Sequence, residues 1–374
     1  MNQRTTGLIP KILSPYDKNG LQLRNRLAVA PMTRVTATER GVPTRAMHDY
    51  YVRFAKGGFG LAATEGLYTD KAFSQGYPFQ PGLVDDEQTL AWAGITKAMH
   101  EYGAKMHAQL MHAGALSQRN RFREHNVAPS AIRPKGKQMT HFYGEGEYPV
   151  PVAITEAEIA EVIQGFADTA ARAVRAGFDG IEIHGANGYL LDQFLSAETN
   201  RRTDRWGGDA RGRVSLLVEI VKAVKAVVGA AVPVGIRISQ GKVNDFKSKW
   251  PGREADAETI FSSLADAGVD FIHVTEFEAW KPAFEGGQDS LVALARRFAP
   301  AVSIIANGSL HDIERSAQAL AQGADIVAVG RGALANPDLP KVIQAQGELR
   351  AFDSSILDPI ANVKGVELAY TSTI

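Results

Sequence analysis

Ile181-Glu182-Ile183-His184-Gly185-Ala186-Asn187-Gly188-Tyr189-Leu190-Leu191-Asp192-Gln193-Phe194 begins as a buried strand and ends as a helix. Strand residues alternate sides, which puts Glu182 and His184 on one face and Ile181 and Ile183 on the other. At the join, His184, Asn187 and Tyr189 set an imidazole, a carboxamide and a phenol within six residues. Such groups hydrogen-bond an oxygen and deliver a proton. A His and an Asn that merely cap a helix start are the simpler reading. The gathering of four polar groups at one strand end favours a catalytic site instead.

The same strand-to-helix unit recurs along the chain. Candidate strands are 26–32, 59–66, 104–112, 178–186, 232–239, 269–276, 301–308 and 324–331. Between them lie amphipathic stretches. Thr155-Glu156-Ala157-Glu158 is a capping box, followed by Ile159, Val162, Ile163, Phe166, Ala170 and Val174 at helical spacing. Val214, Leu217, Val218, Val221, Val224 and Val228 form a second stripe, and both read as core packing against a sheet. Eight alternations predict an α/β class protein with a parallel sheet closed into a (β/α)8 TIM barrel. No glycine triad follows the first strand, which weakens an open dinucleotide-binding fold.

Two features lie outside the repeat. Asp17-Lys18-Asn19-Gly20 carries turn chemistry and predicts an N-terminal hairpin that plugs the barrel floor. Ala113 to Ile154, after the third strand, is rich in Pro, Gly, Arg and aromatics. A connection of that length on the catalytic face is expected to act as a lid. Residues 1–374 are read as a single domain.

Composition narrows the classes. The 374 residues are 45 % hydrophobic and 22 % charged, within the globular range. With 41 basic and 41 acidic side chains, no global field favours nucleic acid or an anionic membrane. The absence of cysteine excludes disulfides, cysteine-bound zinc, iron–sulfur clusters and a thiol nucleophile. No apolar run approaches a membrane span, and Met1 to Pro10 lacks the apolar core of a secretory signal. The expectation is a soluble, cytoplasmic protein, with its oligomeric state open.

In a barrel of this kind the active site lies at the C-terminal strand ends. Strand seven ends in Asn307-Gly308-Ser309 and strand eight in Gly330-Arg331-Gly332. Backbone N–H groups after these two strands commonly bind phosphate, and Arg331 adds a fork for its oxygens. Arg237, on strand five, is costly inside a barrel unless paired. Glu182 is its candidate partner, and the alternative is a cofactor that becomes anionic. Gln109 offers a donor and an acceptor, the pattern that reads an imide edge such as that of an isoalloxazine. A competing reading is a metal-dependent isomerase or hydrolase using Glu65, Glu182, His184, His273 and Glu276, though no paired His spacing supports it. Aldolase chemistry lacks a strand-end lysine.

Asn25-Arg26 with Ala30-Pro31-Met32-Thr33-Arg34, Thr64-Glu65-Gly66, Gln109-Leu110, the His184–Phe194 stretch, Asn200–Gly208 and Val329-Gly330-Arg331 resemble the Old Yellow Enzyme family. The resemblance runs from about Leu8 to Ala345. It implies FMN held noncovalently, NADH or NADPH as reductant, and an activated alkene as substrate. By motif, Pro31, Met32 and Thr33 would lie beside the flavin ring, Gly66 and Gln109 at its pyrimidine edge, and Arg237 at N1/O2. Asn307, Gly308, Gly330 and Arg331 would hold the phosphate. His184 and Asn187 would bind the substrate oxygen, and Tyr189 would protonate the α-carbon. A flavin storage or sensor protein is a non-catalytic alternative, opposed by the intact His184, Asn187 and Tyr189 set. Thr33 stands where one branch of the family has a cysteine. Met111 replaces a bulky aromatic after Gln109-Leu110, which reshapes the expected pocket. The segment Thr275–Pro282, with Trp280, matches no assigned motif.

Overall fold

Eight runs rich in Val, Ile, Leu and Ala are buried on both faces, the pattern of strands enclosed by helices. They form β1 (Leu27–Val29), β2 (Leu61–Ala63), β3 (Lys105–Met111), β4 (Gly180–Asn187), β5 (Val234–Lys242), β6 (Phe271–Thr275), β7 (Ser303–Asn307) and β8 (Ile326–Val329). In the computed structural model, which describes residues 9–370, each pairs in parallel with its neighbours and β8 pairs with β1. The predicted (β/α)8 barrel is therefore closed. Met1 to Leu8, read above for a secretory signal, lie outside the described residues. Among the described residues no helix is long and apolar enough to cross a membrane.

The helices form where the periodicity places them. Thr155 Oγ1 accepts from the Glu158 backbone N–H at 3.2 Å, and Glu158 Oε2 accepts from the Thr155 N–H at 2.8 Å, completing the capping box of helix Glu156–Arg175. That helix buries Ile159, Val162, Phe166 and Ala170, while Val174 stands 38 % exposed at its last turn, contrary to the stripe read from sequence. Helix Ala210–Val228 buries Val214, Leu217, Val221 and Val224.

Register decides what fills the barrel. Gln109, Glu182, Gly235 and Phe271 lie side by side on β3 to β6, and the row above holds His184, Arg237, His273 and Ile305. At Gly235 a Cβ would come within 2.3 Å of the Phe271 ring, so only glycine lets that ring fill the interior. The floor is closed by the predicted hairpin. Tyr16–Lys18 pairs antiparallel with Leu21–Leu23 across Asn19-Gly20, both with positive φ (53° and 78°), as a tight hairpin turn requires. Tyr16, Leu21 and Leu23 pack on Ala28, Leu61, Phe271, Ile305 and Ile326, and the Tyr16 hydroxyl meets Ser303 Oγ at 2.8 Å. This apolar stopper leaves the polar row of β4 to β6 accessible only from the opposite, C-terminal end.

The insertion 113–154 crosses that open end. It contributes buried Leu116 and Tyr148 and half-buried Met139 and Phe142 to a cluster with Val35, Tyr77, Met111 and Tyr189.

Candidate active site

Strand β4 ends in a turn built by its own sequence. Asn187 takes a left-handed φ of 63°, which Asn tolerates better than most residues, and its N–H donates to Ser239 Oγ at 2.8 Å. Gly188 N–H then donates to Asp192 Oδ2 (2.6 Å), and Lys242 Nζ donates to Asp192 Oδ1 (2.8 Å) in a fully buried pair. Gln193 Nε2 returns to the Gly188 carbonyl at 2.7 Å. Asp192 and Gln193 thus hold the turn that presents Tyr189. The Asn200–Gly208 block is scaffold too, since Asn200 Nδ2 donates to the carbonyls of Phe194 and Trp206.

Tyr189 and His184 meet edge to face, with ring centroids 5.0 Å apart. Burial lowers the His184 imidazole to about 3, helped by the nearby Arg237 charge, so the ring is neutral at physiological pH and its Nδ1 has no partner in the protein. Burial raises the Tyr189 phenol, opposed by its hydrogen bond with Tyr77 and by Arg237. The two phenolic oxygens, Tyr77 and Tyr189, lie 2.6 Å apart. Tyr77 comes from the connection between β2 and the next helix, where nothing in the sequence marked it beyond an aromatic in a loop.

Arg237 is not salt-bridged to Glu182, contrary to the sequence expectation. Its Nη2 donates to Asn307 Oδ1 (2.8 Å) and Thr275 Oγ1 (3.2 Å), and its Nε is buried without a partner. Glu182 is taken up elsewhere: it accepts from Gln109 Nε2 (2.7 Å) and shares a 2.7 Å bond with His273 Nδ1. Burial works to raise the Glu182 carboxyl, but His273, Arg237 and Gln109 outweigh it and hold it ionised, at about 2. Gln109 therefore spends one of its two amide protons inside the barrel and keeps its carbonyl oxygen for a ligand. Asn307 is likewise turned inward, accepting from Arg237 and Thr275 and donating to the Ala328 carbonyl at 2.9 Å. The reason is common to all three. A buried guanidinium and carboxylate each recruit the nearest complementary dipoles, Glu182 from its own row (Gln109) and the row above (His273), Arg237 from the row above its own (Thr275 and Asn307).

The end of β1 is held just as firmly. The backbone N–H groups of Arg34 and Val35 donate to Glu65 Oε2 at 2.9 and 3.2 Å. Val35 carries a φ of 35°, a strained value for a β-branched residue. Arg34 reaches away to Glu367 near the chain's end, Nη2 to Oε1 at 2.5 Å, with both side chains buried. This strapped turn sets Pro31, Met32 and Thr33, all half-buried, at the rim. Gly66 lies on the opposite flank, where a Cβ would fall 2.3 Å from Met111 Sδ. The methionine noted as a substitution for an aromatic thus packs over Gly66.

Between the ends of β1, β7 and β8 opens a cleft of about 220 Å³ whose walls include Pro31, Met32, Asn307, Gly308, Gly330 and Arg331. Gly308 has a φ of 141° and no room for a side chain, since a Cβ would lie 2.0 Å from the Glu276 carbonyl. An FMN fits this set. The glycine-lined cleft is a phosphate-sized cradle with Arg331 at its edge, and the unpartnered Arg237 Nε is a buried cationic donor that an anionic ring would satisfy. The metal alternative finds no such support. Glu65 is bound to backbone, Glu276 to Lys249 and the Gln240 N–H. Among the described residues no group of three or more His, Asp or Glu side chains is placed to hold a metal ion.

Burial of imidazoles makes stability depend on pH. His107 is lowered to about 4 and His184 to about 3, each chiefly by burial, and His112 and His273 are lowered as well. The unfolded chain binds these protons below its ordinary pKa near 6.5, whereas the folded chain refuses them until about 4 or below. Stability is thus complete above about pH 6.5 and is lost as pH falls toward 4, on the order of 3 kcal/mol for His107 alone. Denaturant midpoints should drop steeply from pH 7 to pH 5, and His107→Gln should flatten that slope. A level profile in the parent chain would contradict the assignment.

Residues 11–350 match the model of the NADH:flavin oxidoreductase / NADH oxidase family. The chain is 35 % identical over 352 residues to "NADH oxidase" of Thermoanaerobacter brockii, covering 91 % of this chain but only about half (52 %) of that relative. It is 35 % identical over 339 residues to "Probable flavin mononucleotide-dependent alkene reductase" of Leishmania infantum, covering 88 % of this chain and 89 % of that one. Among solved structures, the Old Yellow Enzyme homologue from Zymomonas mobilis superposes with a TM-score of 0.87 at 29 % identity, over 97 % of this chain and 100 % of the other.

Proposed function

The chain belongs to the NADH:flavin oxidoreductase / NADH oxidase family, and on that premise we propose that it is an FMN-dependent ene-reductase. Its substrates are activated alkenes, in which a carbonyl or nitro group conjugates the double bond, and NADH or NADPH is the reductant. An FMN held at the strand ends would supply the redox chemistry, taking hydride equivalents from the nicotinamide and passing them to the β-carbon of the alkene.

The residues of the chain do the rest. Pro31, Met32, Thr33, Gly66 and the Gln109 carbonyl would border the ring, and Asn307, Gly308, Gly330 and Arg331 would hold its phosphate end. Asn307 acts partly through Arg237, which it orients by accepting the Nη2 proton. Arg237 keeps a positive charge where electron density accumulates. His184 and Asn187 donate to the substrate oxygen. A neutral imidazole suits that task, because it donates without giving up a proton. Tyr189 then protonates the α-carbon as general acid.

The observation that carries this reading is the conjunction of a neutral His184, a protonated Tyr189 and the buried Arg237 without a carboxylate bonded to it. The aromatic cluster of Tyr77, Met111, Tyr148 and Tyr189 supports a substrate with an apolar body. To test the cofactor assignment, the purified protein is denatured and its released chromophore identified. FMN, in a protein that NADH or NADPH bleaches, is expected; a protein that neither carries FMN nor binds added FMN would sink the proposal.

Tyr77 follows as a positioning residue. Its hydroxyl lowers the Tyr189 pKa and fixes the phenol's direction. Loss of one hydrogen bond of about 1 kcal/mol corresponds to roughly five-fold. Tyr77→Phe should slow the alkene-dependent step by about that factor and move its pH dependence upward. An unchanged rate and pH profile would remove Tyr77 from the account.

A further inference from the structure

The Glu182 carboxylate takes no part in the chemistry above, yet it lies buried in the barrel with both oxygens occupied. On one side β3 sets Gln109 directly beside it, and Gln109 Nε2 donates to Oε1 at 2.7 Å. On the other side its neighbour in the row is Gly235, which has no side chain to offer. His273, from the row above on β6, reaches across that gap, and its Nδ1 meets Oε2 at 2.7 Å. Arg237, the other candidate partner, is drawn instead to Asn307 and Thr275.

An ionised carboxylate accepts and cannot donate. Gln109 can therefore face it only with the NH2 end of its carboxamide, which turns Oε1 the other way. That oxygen accepts from no group among the described residues. Burial lowers the His273 imidazole, so the ring is neutral and its Nδ1–H donates to the second carboxylate oxygen. Its Nε2 is buried without a partner, which leaves Glu182 as the ring's one hydrogen-bond partner among the described residues.

We infer that Glu182, steadied by His273, is a positioning residue for FMN: it fixes the Gln109 carboxamide so that the carbonyl is left for the imide N–H of the flavin. The inference rests on the FMN reading. A carboxylate that merely satisfied His273 would brace the barrel equally well without dictating which end of Gln109 meets the ligand.

The test follows release of FMN from the holoenzyme on dilution, read as the flavin fluorescence that appears in solution. Glu182→Met keeps the side chain's length and removes both acceptors. The Gln109 NH2 is then buried without a partner whenever the flavin covers the site, so FMN should bind at least about five-fold more weakly. In a Gln109→Ala background the same substitution has no amide to strand and should change FMN affinity by less than about two-fold. Glu182→Gln offers one oxygen in place of two. His273 can exchange its ring proton to meet the new NH2, and Gln109 is left with two equivalent orientations, one of them competent, so affinity should fall only about two-fold. Where Glu182→Met fails to fold, Glu182→Met/His273→Leu removes the pair together, leaves no imidazole donor orphaned, and should show the same loss of about five-fold. Unchanged affinity in both Met variants, an equal loss with and without Gln109, or a Glu182→Gln variant as weak as Glu182→Met overturns the inference and leaves the FMN reading standing. A parent protein that carries no FMN and binds none overturns the preceding section, and the inference with it.

Discussion

Tyr189→Phe is expected to slow reoxidation of the reduced enzyme by an activated alkene about a thousand-fold, the usual contribution of a positioned general acid, and to leave reduction by nicotinamide nearly unchanged. The split follows from what the substitution removes. Phenylalanine keeps the edge contact with His184 and the packing among Tyr77, Met111 and Tyr148, so the pocket retains its shape. Only the hydroxyl is lost, and with it the proton at the α-carbon. Reduction by the nicotinamide needs no proton from this phenol. Stopped-flow measurement of the two half-reactions separates the effects, and an equal loss in both would contradict the role. The Tyr77 hydroxyl, deprived of its 2.6 Å partner, costs on the order of 1 kcal/mol of stability, too little to unfold the chain.

His184→Ala combined with Asn187→Ala should remove the oxygen-binding donors altogether. Each preorganised donor of this kind is worth about a hundred-fold or more in rate, so the double variant should lose alkene reduction beyond the Tyr189→Phe variant. It should also lose binding of phenolic ligands and the long-wavelength absorption band they give with the flavin. His184 makes no hydrogen bond that the fold depends on, and its neutral ring already sits desolvated, so removing it leaves no charge unpaired. Asn187 is placed by its backbone, through Ser239 Oγ and the Val243 N–H. Its left-handed φ makes Asn187→Ala the more strained of the two changes. A phenol band retained in the double variant would move the oxygen site elsewhere.

The barrel was legible in the sequence because its signal is periodic and local. Six of the eight strands fall inside the stretches read from apolar runs, the other two, Gly180–Asn187 and Val234–Lys242, running one and three residues past theirs; the Thr155 capping box forms as written, and Asn19-Gly20 makes its hairpin turn. The side-chain pairings were less so. Glu182 and Arg237 sit on facing rows of adjacent strands, yet His273 and Gln109 claim the carboxylate while Thr275 and Asn307 claim the guanidinium. Strand alternation says which residues face inward but not how a crowded polar interior divides its hydrogen bonds. Tyr77, Tyr148 and Glu367 were missed for another reason. Each arrives from a loop or from the far end of the chain, and its partner lies 112 residues away for Tyr77 and 333 for Glu367. No local pattern records contacts at such separations. The Arg34–Glu367 strap, which steadies the rim at Thr33, became apparent only in three dimensions.

The central claim is that reducing equivalents leave this barrel for an alkene polarised by His184 and Asn187 and protonated by Tyr189. Anaerobic mixing of the nicotinamide-reduced protein with one equivalent of 2-cyclohexenone tests it most directly. The account predicts full return of the oxidised flavin absorbance with stoichiometric formation of cyclohexanone, slowed at the protonation step in Tyr189→Phe. A protein that stays bleached with this enone and with maleimide and nitroalkene alike, and recovers its colour only when oxygen is admitted, would contradict it.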